Sequence, residues 1–211
     1  MKNRLMGLTG LLAVALWIVG LVVSQASTTS LPDNANDAAV LSWIQGNQNP
    51  IILGSFLFMI GCAVFIVWAG MLRARLAEAE GGVHTLASIA FGAALVMAGL
   101  GFLTQTDIAS AINADHISAA TAGTLHHLGD AFFVGVEITL AVLLGSVAVL
   151  AYRTAVLPRW WAILGALVGV VALVGPIGWA ALIFAFPVWL LVTPWLGSGR
   201  RDVAKAVPQV V

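Results

Sequence analysis

The chain has 211 residues, 61% hydrophobic and 9% charged, with a mean hydropathy of +1.02 and a formal net charge of zero. Soluble domains carry roughly a quarter charged residues, so this composition excludes an ordinary soluble fold, and the lack of a basic surplus excludes nucleic acid as a partner. The single cysteine, Cys62, excludes an internal disulfide or a CxxC motif and reads as packing inside an apolar run.

The first apolar run, residues 5–23, follows Lys2 and Arg4. With Ser24-Gln25-Ala26 behind it, the run resembles a secretory signal. It is longer than the usual apolar region of about 7–15 residues, so a retained membrane helix is predicted. The loop 24–50 then carries a short helix at 38–45, capped by Asp37 and ended by Gly46. Val40, Leu41 and Ile44 form its apolar stripe, with Trp43 beside it. Such a helix lies at the interface, as a lid on the outer end of a bundle.

A second span at 51–72 follows Pro50 and continues past Arg73 and Arg75 as a solvated helix end, with Glu78 and Glu80, until Gly81-Gly82 stops it. The third span is 83–103. In the connection 104–123, Ile108 and Ile112 have helical spacing, and the fourth helix is predicted to begin near Asp115 and project beyond the bilayer. Its membrane-spanning part is 131–152, ending at Arg153 and Pro158. The apolar stretch 160–196 is too long for one ordinary span, and Gly175-Pro176-Ile177-Gly178 is a turn signal. It divides into spans at 160–174 and 177–196. Gly165 and Gly169 make a GxxxG pair, which serves packing within one subunit as well as dimerisation. No inverted pair of broken helices stands out, which weakens a standard transporter reading.

Six spans place all nine basic residues, from Lys2 to Lys205, on one face. By the positive-inside rule that face is cytoplasmic. The predicted fold is therefore all-α: a six-helix transmembrane bundle over residues 1–199, with both termini inside, an extracytoplasmic interfacial helix, and a basic cytoplasmic tail at 200–211. The opposite face holds Asp33, Asp37, Asp107 and Asp115.

The stretch TLHHLGDAFFVGVE, residues 124–137, concentrates ionisable groups at the outer end of the fourth span. Glu137 lies roughly 23 Å along the axis from Tyr152, which puts it about 7 Å below the outer edge of a core about 30 Å thick. His126 and Asp130 are four apart, and Glu137 returns to their stripe seven residues later. A carboxylate in hydrocarbon costs several kcal/mol unless it is neutral, paired or wet, and no Lys or Arg lies on the outer half of a span.

Three readings follow. In the first, His126 pairs with Asp130, and Glu137 bonds to a Ser, a Thr or a carbonyl. In the second, His126, His127, Asp130 and Glu137, with His116 from the same region, hold Zn or Fe. In the third, Glu137 carries a proton and the histidines relay it. Haem is disfavoured because His84 lies at the opposite end from the other three histidines. Retinal is excluded because no span contains lysine.

The segment NQNP at 47–50, the run LRARLAEAEGG from Leu72 to Gly82, and VLPRWWAILG from Val156 to Gly165 together resemble a family of uncharacterised multi-pass membrane proteins from high-GC actinobacteria. The likeness spans nearly the whole chain and rests on boundary features. It implies a six-helix bundle in a bacterial plasma membrane, and it carries no activity onto any residue. The expected function is that of a non-enzymatic integral membrane protein, a binding or accessory component. The alternatives are an external His/carboxylate metal centre and a proton-linked carrier of small molecules. The expected partners are the lipid bilayer and either a second copy or another membrane protein.

Overall fold

A computed structural model describes residues 2–25, 31 and 34–196. The basic tail at 200–211, with Arg200, Arg201 and Lys205, lies outside the described residues, as do Asp33 and Ala26 of the alternative cleavage motif.

The described residues are helical and contain no strand. Among the described residues, five helical stretches are long and apolar enough to cross a membrane: Asn3–Ser24, Gln48–Glu80, Thr85–Ile112, Ala119–Thr154 and Ile177–Leu196. The predicted fifth span, 160–174, appears as the shorter apolar helix Arg159–Ala172. At 14 residues it is about 21 Å long, less than the hydrocarbon core.

Local chemistry sets the boundaries. Helix α1 is Lys2–Gln25 and α2 is Asp37–Gly46. The predicted cap at Asp37 is displaced by one residue: Asn36 has the extended backbone of an N-cap, and its side-chain oxygen accepts from Ala39 N–H at 2.9 Å. Helix α3, Gln48–Glu80, takes Pro50 in its first turn, where a missing N–H costs nothing. It stops at Gly81 and Gly82, whose φ values of 64° and 68° suit glycine. Helix α4 is Thr85–Leu103 and α5 is Asp107–Ile112. Helix α6, Ala119–Thr154, starts four residues later than predicted, because Asp115 falls in the turn 113–116. Its 36 residues span about 54 Å, well beyond the hydrocarbon core. Helix α7 is Arg159–Ala172. The predicted turn at 175–178 lies slightly earlier, at Leu173 and Val174, and α8, Gly175–Ala180, begins directly afterwards. A π-helical segment, Ala181–Ala185, leads into α9, Phe186–Leu196.

The chain forms two compact units, and α1, α3, α4 and α6 each contribute to both. The first unit draws on Met1–Leu11, Val67–Ala94 and Glu137–Val211. Its described core is aromatic: Trp68 stands edge-on to Trp189 at 6.2 Å, and Phe186 stacks on Trp189 at 6.3 Å. Trp161 Nε1 donates to the Thr193 hydroxyl at 2.9 Å, and that hydroxyl donates to the Trp189 carbonyl at 2.6 Å. The Arg75 guanidinium donates to the carbonyls of Thr193 and Val156 at 3.2 and 3.4 Å. It thereby satisfies the end of α9, where carbonyls lack helical partners. Gly165 admits the Trp189 indole and Gly169 admits the α6 backbone at Ala141. The GxxxG pair therefore serves packing inside this chain.

The second unit draws on Leu12–Ile66 and Leu95–Val136. Val40 and Ile44 of α2 bury against Ile51, Ala111, Ala114 and Ala122, so the apolar stripe read from the sequence becomes the underside of a lid. The Gln45 side chain ties α2 down by donating to the Ala114 carbonyl at 2.9 Å. Cys62 is buried, and an added Cβ at Gly101 would lie 3.0 Å from its sulfur, as expected of a packing residue.

Candidate functional site

Within the second unit, α5 and α6 bring an acid and a histidine together. Nδ1 of His126 lies 2.9 Å from one Asp107 carboxylate oxygen and 3.2 Å from the other. Their side chains are 24% and 23% exposed. The predicted partner Asp130 is instead paired with His127, at 4.0 Å, with both side chains exposed. Helical stacking of His126 on Asp130 competes here with a partner fixed by folding, and the closer contact wins. Asp107 is only 19 residues before His126 and lies on the external side in the predicted topology, so a signal existed in the acids of that face.

The neighbourhood is built for close packing. An added Cβ at Gly129 would meet the Thr106 hydroxyl at 2.7 Å and the Thr104 carbonyl at 2.9 Å, so the α4–α5 turn rests on α6 there. Gly123 leaves room for the Asp37 carboxylate. The rings of Trp43 and His126 are 6.4 Å apart, and those of His126 and His127 are 5.7 Å apart, both edge-on. His116 is exposed in the turn 113–116. No ion pair joins it to the other candidates among the described residues. No group of three or more His, Cys, Asp and Glu side chains among the described residues is placed to hold a metal ion.

Glu137 belongs to the first unit. It is 9% exposed, between the buried Val136 and Leu140. Among the described residues no hydrogen bond or ion pair reaches its carboxylate. No Ser or Thr hydroxyl bonds it among the described residues, and the Ala172 carbonyl is the polar group nearby. A Cβ at Gly178 would lie 2.5 Å from Glu137 Oε1 and 2.5 Å from the Ala172 carbonyl oxygen. The acid is thus packed onto α8 where only a hydrogen fits.

The segment facing Glu137 is the least regular of the described spans. Leu173 N–H bonds to Val170 O at 3.1 Å and Val174 N–H to Val171 O at 3.0 Å, tighter than α-helical spacing. Gly175 has φ +28°. After α8 the backbone widens, and Phe186 N–H bonds to Ala181 O, the spacing of a π-helix, a form frequent at functional sites.

Arg75 and Glu80, expected at a solvated helix end, have fixed partners. Arg75 instead closes α9, and the Glu80 carboxylate accepts from Leu86 and Ala87 N–H at 2.8 and 2.9 Å, capping α4 across the glycine turn. His84 occupies that turn with φ 53°. No family model matches this chain, and no curated protein or solved structure matches it.

Proposed function

We propose that this chain is a non-enzymatic, multi-pass protein of a bacterial plasma membrane, a binding component whose working group is Glu137. Five long apolar helices support the membrane setting. The segregation of basic residues supports six crossings with both termini inside, with α7 as the thin one. The resemblance to the actinobacterial family supports the location.

The observation that carries the reading is a carboxyl group nine-tenths buried, without a polar partner among the described residues, against an interrupted helix. Intramembrane carboxyls mark ion and proton paths because their burial is costly and must be offset by a ligand. A proton or a small cation satisfies Glu137, and the nearby Ala172 carbonyl can share it. Treatment with a lipid-soluble carbodiimide, followed by peptide mass mapping, tests this. An adduct on Glu137, absent after Glu137→Gln, is expected. An unmodified Glu137 in the folded protein contradicts the reading. Turnover of that group across the membrane makes the protein a proton-linked carrier of small molecules, a role favoured by the π segment and the tight turn beside it.

A metal centre is the second reading, favoured by one contact. A carboxylate on His126 Nδ1 is the arrangement that orients an imidazole and leaves Nε2 free for Zn or Fe. Elemental analysis of purified protein tests it: stoichiometric metal lost in His126→Ala supports the centre, and metal-free wild type dismisses it.

A further inference from the structure

Between α6 and α7, at the basic end of both helices, the first unit carries an apolar groove of about 260 Å³. Three alanines, Ala148, Ala162 and Ala166, line it together with Tyr152 and Arg153. Arg159 lies beside Tyr152, its guanidinium 5.4 Å over that ring. Among the described residues neither arginine has a carboxylate partner, and the connecting segment 155–158 contains no acid. Trp160, next in the chain, is 59% exposed, as suits an aromatic ring at a membrane interface.

We propose that this groove holds one anionic glycerophospholipid of the adjoining leaflet, its phosphate between Arg153 and Arg159 and part of one acyl chain along the alanines. The charge pattern selects this occupant. Two guanidiniums without acids match a phosphate bidentately, and basic pockets between membrane helices on the cytoplasmic side bind such headgroups. The volume lies below the range of about 300–1,000 Å³ usual for small-molecule pockets and suits a chain segment rather than a compact solute. The short α7 adds a reason, because a helix of about 21 Å leaves neighbouring lipid poorly matched to it. The proposal stands apart from the Glu137 reading.

Native mass spectrometry of the full chain, released from vesicles containing equal phosphatidylglycerol and phosphatidylcholine, tests it. Wild type is expected to retain one phosphatidylglycerol in preference to phosphatidylcholine. Arg153→Gln and Arg159→Gln should each lower that retention roughly fivefold, and Ala166→Leu, which fills the groove from a half-exposed position, should lower it with both arginines intact. Circular dichroism melting identifies variants that fold. Equal retention of the two lipids, unchanged retention in folded arginine variants, or unchanged retention in folded Ala166→Leu would each overturn the proposal.

Discussion

The Glu137 carboxylate lies against Gly178, so close that a Cβ there would stand 2.5 Å from Oε1. An acid on α6 and a glycine on α8 thus form one packing unit, and the Ala172 carbonyl closes it from the end of α7. A side chain at 178 would push against backbone as well as against the acid.

Gly178→Ala is therefore expected to destabilise the protein by about 1–3 kcal/mol, the usual cost of overpacking, read as a lower melting temperature in detergent. Adding Glu137→Ala should recover only part of the loss, because the Ala172 carbonyl still obstructs the new methyl. Wild-type stability in Gly178→Ala would show that the acid is not packed on α8.

The Asp107–His126 contact joins α5 to α6 in a partly buried setting. A double-mutant cycle with Asp107→Ala and His126→Ala should give a coupling of about 1 kcal/mol, after allowance for solvent screening. Asp130→Ala should stay within about 0.5 kcal/mol of wild type, since its side chain is 76% exposed and 4.0 Å from His127. The reverse order would restore the His126–Asp130 pairing that helical spacing suggests.

Glu80 caps α4 by accepting two backbone N–H groups. Glu80→Ala should speed hydrogen exchange at Leu86 and Ala87 while leaving the middle of α4 protected. Unchanged exchange at those two amides would assign the α4 start to the glycine turn alone.

The proposed topology places the turn at Val83 inside and the turn at Asn113 outside. In a Cys62→Ser background, a membrane-impermeant thiol reagent added to intact cells should label Asn113→Cys and spare Val83→Cys. Labelling of both positions would reject the six-crossing arrangement.

Much of this architecture was legible because hydrophobic length is read directly from a sequence. The stripe Val40, Leu41, Ile44 foretold the lid, and Gly81-Gly82 foretold the end of α3. The extent of 160–196 foretold a division, although the break fell at Leu173 and Val174 instead of at the glycine-proline turn signal.

What the sequence concealed was pairing between segments distant along the chain. Helical spacing offered Asp130 to His126, yet Asp107 reaches it from α5. Arg75 bonds the Thr193 carbonyl 118 residues away and the Val156 carbonyl 81 residues away, and no local pattern marks that. Glu137 was visible as an anomaly in an apolar run, but its contact with Gly178 depends on how α7 and α8 fold back.

The proposed role of Glu137 as a working group requires its carboxyl to exchange a proton or cation with the aqueous phases. Proteoliposomes loaded with a pH-sensitive dye, carrying wild type or Glu137→Gln at matched protein content, measure this most directly. Under an imposed pH gradient, the wild-type signal should relax faster than that of empty vesicles, and Glu137→Gln should match the empty vesicles. Equal relaxation in wild type and Glu137→Gln would contradict the account.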